Sequence, residues 1–331
     1  MNDKPGGVML PTRIVPFPDS ISQAAQTALR RLVDEQGVPL NSRHVMPALE
    51  EFDAWMQVKA SVDAHYAAAL EQLSGHLRAG VETIRVGSAV IHIATPVDPL
   101  SDDCAYIDLH GGALVFGGGA ACRAGAQMQA DRLRIRCYGV DYRMPPEHPY
   151  PAALDDCMAV WSHVLERYAP ENVVIGGRSA GGNLAAAMTL RARDEGLPLP
   201  AALVLLSPEV DLTESGDSFQ TNQWIDVVLP GSLMANNLLY AKGADLAHPW
   251  LSPLFGDFSK GFPPTFLQSG TRDLFLSNTV RLHRALRRAR IPAELHVFEA
   301  MPHGGFMGAP EDQELSEAIE SFVHQHLGAL S

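Results

Sequence analysis

Residues 175–182 read Ile175-Gly176-Gly177-Arg178-Ser179-Ala180-Gly181-Gly182. An apolar run at 172–175 comes before them, and an alanine- and leucine-rich stretch reaches from 180 to 194. The run predicts a buried strand and the stretch a helix. Ser179 therefore stands in a Gly-x-Ser-x-Gly pattern at the corner between the two. A chain reversing that sharply strains the serine backbone, and glycines on either side remove the Cβ atoms that would clash. A phosphate-binding loop is the competing reading, but it calls for Gly-Lys-Ser/Thr or Gly-x-Gly-x-x-Gly, and neither is present.

Outward from this corner, strands and helices alternate. Strands are expected at 81–86 and 90–95, paired through a turn at Gly87-Ser88, and at 104–109, 137–142, 201–206, 265–268 and 295–298. Helices are expected at 125–136, 152–168, 279–290 and 313–327. Apolar strands alternating with helices predict a mostly parallel sheet covered on both faces. Two regions break the rhythm. The first 75 or so residues read as helical, with stretches at 21–33 and 52–77. Residues 211–250 hold no strand pattern, only a helix-like segment at 232–240. We expect 1–75 and 211–250 to form a helical cap over one end of the sheet, with 76–210 and 251–331 as the catalytic domain.

The 331 residues are 46% hydrophobic and 19% charged, which excludes a disordered chain. No apolar run approaches the roughly 20 residues of a membrane span. The formal charge of −13 disfavours nucleic acid and anionic lipid as partners. Cys104, Cys122, Cys137 and Cys157 form no Cys-x-x-Cys pair and keep no zinc-ligand spacing with histidine, so no metal site is expected. Free thiols and the lack of a secretory apolar core near the start predict a cytoplasmic protein.

A serine hydroxyl needs a base. His303, in Met301-Pro302-His303-Gly304-Gly305-Phe306, follows the last predicted strand and should emerge at the same sheet edge as Ser179. His44, His65, His76, His163 and His283 are expected on helices, in structural roles. The imidazole needs a carboxylate. Asp273, in Ser269-Gly270-Thr271-Arg272-Asp273-Leu274, also lies just past a strand, with Glu209 and Asp211 as competitors. The chain order Ser179, Asp273, His303 is that of an α/β-hydrolase triad. His110-Gly111-Gly112-Ala113 follows another buried strand, where backbone N–H groups can approach a developing oxyanion, with the Ala180 N–H as a further donor.

With these pieces in place, the chain resembles the hormone-sensitive-lipase-like family of α/β-hydrolase esterases. HGGA at 110–113, DYRMPPEHPYPAALDD at 141–156, GRSAGG at 177–182, SGTRDLF at 269–275 and MPHGGF at 301–306 occur in family order. The resemblance implies Ser179 as nucleophile, Asp273 and His303 as its partners, and oxyanion donors from Gly111, Gly112 or Ala113 with Ala180. It implies hydrolysis of short- to medium-chain carboxylic esters without metal or organic cofactor, a cap that shapes the pockets, and a homodimer as a plausible assembly. A lactone hydrolase or a small-molecule deacetylase would use the same triad, whereas a non-catalytic receptor on this fold would typically lose the histidine.

The chain departs from the family pattern in places. Arg178 replaces the usual Asp or Thr, and either salt-bridges below the turn or alters the local field. Ala113 replaces a glycine, and Glu209 stands where an aromatic is usual. Glu147 is expected to support a turn behind the site. The basic run 281–288 reads as a solvated helix with a Leu282, Ala285, Leu286 and Ala289 stripe. Trp224, Leu229, Met234 and Leu239 read equally as acyl-pocket lining or as cap core.

Overall fold

The structure, a computed structural model, describes residues 8–9, 12–74, 76–229 and 231–330, with backbone alone for 70–74. Its strands are β1 Gly80–Val86, β2 Ala89–Thr95, β3 Ala105–Leu109, β4 Arg136–Asp141, β5 Val173–Arg178, β6 Ala202–Leu206, β7 Thr265–Gly270 and β8 Ala293–Phe298. They form one sheet in the order β1-β2-β4-β3-β5-β6-β7-β8. Only β2 runs opposite to the other strands, antiparallel to β1 and to β4. Gly87 turns the β1–β2 hairpin with φ 60°, so that Val86 faces Ala89. This is the α/β-hydrolase fold.

The central strands β3, β6 and β7 are buried at every residue, as a sheet covered on both faces requires. The helices are α1 Gln23–Arg30, α2 Phe52–Ser74, α3 Ala120–Leu133, α4 Ala152–Leu165, α5 Ala180–Asp194, α6 Ser218–Thr221, α7 Met234–Ala241, α8 Leu276–Arg288 and α9 Pro310–His326. Helices α4, α5 and α8 cover one face, with Leu154, Trp161, Leu184 and Leu282 in the core against Ile107 and Ile175. Helices α3 and α9 cover the other, where Ala126, Ala130, Ile319 and Phe322 meet Tyr106 and Phe266. The stripe predicted on α8 is realised in fully buried Leu282 and Leu286.

β5 is longer than its apolar run. Gly176 and Gly177 continue it, opposite Asp108 and Leu109 of β3. Glycine hides a strand from pattern reading, yet here it is required: a Cβ on Gly176 would fall 1.6 Å from the Tyr106 hydroxyl oxygen. β7 likewise runs on through Ser269 and Gly270, paired with Val297 and Phe298. His44 and His76 lie outside helices, just past a 3₁₀ turn at Leu40–Arg43 and just past α2. The four cysteines are buried and free.

Described parts of the segments outside the alternation pack on the loops that follow β3 and β8. Trp55 of α2 joins Val115, Phe116, Ala113 and Leu239 of α7 in one apolar cluster. α1 begins at Ser22, whose hydroxyl accepts from Ala25 N–H, and whose own N–H and O–H donate to Glu311 of α9 at 2.7 and 2.8 Å. Ile21, just before α1, and its Ala25 and Leu29 cluster with Val227, Ala300 and Met301. Between 211 and 250 the described residues contain α6 and α7 and no strand. Trp224 is 76% exposed, on a surface cleft with Phe17 and Arg272, and Leu229 packs on the cluster of Phe219 and Phe275. No helix of the described residues is long and apolar enough to cross a membrane.

Candidate active site

Parallel strands β5, β7 and β8 end at one edge of the sheet, so their following loops share it. At the end of β5, Ser179 is buried, with φ 57° and ψ −120°, the strained corner expected for a nucleophile on a strand-to-helix turn. Its N–H donates to Leu206 O at 2.9 Å, and its carbonyl accepts from Asn183 N–H and Glu209 N–H at 3.1 and 3.2 Å. The corner is tight enough to demand glycine. A Cβ on Gly177 would lie 2.3 Å from Gly181 carbonyl atoms, and one on Gly181 would lie 1.9 Å from Leu109 O. Helix α5 starts at Ala180, so its first N–H groups point toward the site from the positive end of the helix.

His303 Nδ1 is 3.1 Å from Asp273 Oδ1, and both side chains are buried. Asp273 Oδ2 accepts from Ser269 Oγ at 2.7 Å, and Oδ1 from Phe275 N–H at 2.9 Å. Burial opposes the Asp273 charge, but the neighbouring imidazole and the hydroxyls of Ser207 and Ser269 outweigh it and hold the carboxyl below its ordinary range. The Phe275 ring meets the imidazole edge-on, with centroids 4.9 Å apart. The competing carboxylates sit elsewhere. Asp211 pairs with Arg281 at 2.6 Å, and Glu209 is buried beside the Asn237 amide of α7.

The 110–113 loop reaches the same corner. A Cβ on Gly111 would be 3.5 Å from Ser179 Cβ. Gly112, Ala113 and Leu114 all have positive φ, and Gly112 O accepts from Val115 and Phe116 N–H at 3.0 and 2.8 Å. The His110 ring stacks on Tyr142 at 4.1 Å, and Tyr142 Oη donates to His110 O at 2.7 Å. From α2, Asp63 accepts from Gly117 N–H at 2.7 Å. The glycines at 111 and 112 are thus held in place by the residues flanking them.

The structure places Ser179, Asp273, His303 and the 110–113 loop at one edge of the sheet. Among the described residues, the Ser179 hydroxyl makes no hydrogen bond to the His303 ring. The two are joined through their neighbours, because Arg178 Nη1 donates to Gly304 O at 2.7 Å. Such serine–histidine bonds are commonly long in unliganded sites and tighten on substrate. Glu147 is exposed on its turn and makes no hydrogen bond among the described residues, contrary to the expected supporting role.

Sequence reasoning missed Asp226. Its carboxylate is fully buried and accepts from Leu274 N–H at 2.7 Å, Val228 N–H at 2.9 Å and Leu229 N–H at 3.1 Å. His303 N–H lies 3.3 and 3.4 Å from its two oxygens. Asn222, on the same segment, donates to Asp273 O at 2.8 Å and Thr271 O at 3.2 Å. No motif marks either residue.

The profile of a family described as having the alpha/beta hydrolase fold matches residues 106–307, more than half of the chain. An acetyl-hydrolase of Streptomyces hygroscopicus is 34% identical over 214 residues, covering 64% of this chain and 71% of that protein. An esterase of Acinetobacter venetianus is 32% identical over 196 residues, 58% of this chain and 64% of its own length. Among solved structures, the esterase E25 superposes with a TM-score of 0.89 at 35% identity, over 97% of this chain and 99% of that one. An esterase from the bacterial hormone-sensitive lipase family superposes with a TM-score of 0.73 at 29% identity, over 86% of this chain and 100% of the other. The chain belongs to the α/β-hydrolase family, within its hormone-sensitive-lipase-like esterase branch.

Proposed function

We propose that this chain is a serine carboxylesterase in which Ser179, His303 and Asp273 form the reacting set. The observation that carries the reading is the strained Ser179 corner, with the Gly111 loop against it and the loop of the buried His303–Asp273 pair tied to it through Arg178. Ser179 Oγ attacks the ester carbonyl as His303 Nε2 takes its proton. Asp273 holds the Nδ1–H tautomer and stabilises the imidazolium. N–H groups of Gly111, Gly112 or Ala113 and of Ala180 stabilise the tetrahedral oxyanion, each worth about 3 kcal/mol. The C–O bond to the alcohol then breaks, and His303 returns the proton to that oxygen. Water repeats the sequence on the acyl-enzyme and releases the acid.

The described residues of 1–75 and 211–250 serve as the cap, while 1–7, 10–11, 75 and 230 lie outside the described residues. The cluster of Trp55, Phe116 and Leu239 supports this, since it lays α2 and α7 over the loop that carries the oxyanion donors. Short to medium acyl chains are the proposed substrates. The acetyl-hydrolase relative supports this, as does a structural neighbour, EstE5, soaked with p-nitrophenyl butyrate.

The test is Ser179→Ala with p-nitrophenyl acetate and butyrate. The variant should fold normally and lose turnover by roughly three orders of magnitude or more. Turnover near that of the wild type refutes the assignment. A series of acyl lengths then measures the depth of the pocket.

A further inference from the structure

We infer that Asp226 is a positioning residue for the reaction: its carboxylate ties the Asp273 loop to the His303 loop and adds negative charge beside the imidazolium. The inference rests on the reading of Ser179, Asp273 and His303 as the reacting set. Three observations carry it.

First, Asp226 is the point where three loops meet. It sits on the segment after α6 and accepts from Leu274 N–H, directly after Asp273, and from the N–H of His303 itself. It also accepts from Val228 and Leu229 N–H, which closes its own turn around the carboxylate. Asn222, one helical turn upstream, grips the Asp273 and Thr271 carbonyls. The segment therefore both donates to and accepts from the loop after β7.

Second, a carboxylate with no side-chain cation as partner is costly to bury unless its backbone donors are themselves in need of an acceptor. Here they are, since each is a loop N–H with no backbone acceptor among the described residues.

Third, the charges facing the imidazole are few. Asp273 lies on the loop after β7 and Asp226 on the segment after α6, and Arg178 stands behind Gly304. The ring packed edge-on against the imidazole is the apolar Phe275. Burial and the nearby Asp273 push the Asp226 carboxyl up to about 6, while His303 pulls it down. Asp226 is thus ionised at the mildly alkaline pH of an esterase assay, and its charge acts on the ring that becomes positive.

The experiment is Asp226→Asn in the full chain, with folding checked by circular dichroism and thermal melting. The pH profile of p-nitrophenyl butyrate hydrolysis is read from pH 5 to 9. An Asn amide would set N–H against N–H on one of its two sides, at Leu274 or at Val228 and Leu229. We expect kcat to fall roughly 10- to 100-fold with KM little changed, as for a misplaced base. The acid limb of kcat/KM should move to lower pH by about half a unit, because a negative charge that favours the imidazolium is gone. A lowered kcat with an unmoved acid limb overturns the electrostatic role. If the Asn variant does not fold, Asp226→Ser, small enough to admit water to the same N–H groups, carries the same readout. A wild type that hydrolyses no ester and takes no fluorophosphonate overturns the serine-hydrolase reading, and this inference with it. A competent wild type whose Asn variant keeps its kcat and its acid limb overturns this inference alone.

Discussion

The guanidinium of Arg178 donates a 2.7 Å hydrogen bond to the carbonyl of Gly304. The residue before the proposed nucleophile thereby holds the residue after the proposed base. Burial and the nearby Arg132 push this guanidinium down from its ordinary value, with Asp312, Asp108 and Asp273 acting against them. Neither of the roles open to Arg178 from sequence describes it fully, because its direct partner is a backbone carbonyl. Arg178→Met removes a charged donor, a loss of about 2 kcal/mol in unfolding free energy. We expect kcat to fall roughly tenfold with KM little changed, because the His303 loop drifts relative to Ser179. Urea unfolding and ester kinetics on the same preparation check both parts.

Two glycines near Ser179 should respond differently to alanine. At Gly181 the new Cβ would sit 1.9 Å from the Leu109 carbonyl oxygen, a backbone atom that cannot move without shifting β3. Gly181→Ala is expected to give insoluble or grossly destabilised protein. At Gly111 the new Cβ would sit 3.1 Å from Arg178 O and 3.5 Å from Ser179 Cβ. Gly111→Ala should fold with a melting temperature near that of the wild type, yet lose much of its kcat. Soluble yield, melting temperature and turnover separate the two.

Glu209 sets a pH dependence of stability. Burial pushes its carboxyl up to about 8, against the Asn237 amide that lowers it. A carboxyl raised in the folded state stabilises fully below its unfolded pKa, and that stability is lost as pH rises through the folded value. Between about pH 4.5 and 8 the wild type should therefore lose up to about 1.4 kcal/mol per pH unit from this group. Glu209→Gln should flatten that slope, so its stability relative to wild type improves from pH 5 to pH 9. Parallel slopes in denaturant titrations across this range would contradict the prediction.

Trp55 is fully buried, and its Nε1–H donates to Ala48 O at 3.0 Å. Trp55→Ala should cost about 4 kcal/mol through the cavity it leaves. Because the same cluster holds Ala113 and Phe116, kcat should fall as well, and Trp55→Phe should recover most of both. Thermal melts and kinetics on the two variants decide it.

Much of the fold follows from local pattern. The buried strands are short apolar runs, and the α8 stripe repeats at helical spacing, so each declares itself within a few residues. The missed strand ends at Gly176, Gly177 and Gly270 are places where tertiary crowding forbids a side chain, and propensity points the other way. Ser179, Asp273 and His303 are legible because each follows a strand, and a parallel sheet delivers such loops to one edge. Asp226 and Asn222 follow no strand. They act on backbone groups of Thr271, Asp273, Leu274 and His303, and any chain can offer backbone groups, so no residue pattern records the pairing.

Sequence alone settled the order of strands and helices, the glycine-flanked serine, and which His and Asp could join it, because those features arise from side-chain type at short spacing. Three-dimensional packing settled the rest. It put Arg178 on a carbonyl across the site, left Glu209 buried against an amide, exposed Trp224 and Glu147, and brought a second carboxylate to His303. These depend on distances between segments remote along the chain, which are fixed only once the sheet, its loops and the overlying helices have closed on one another.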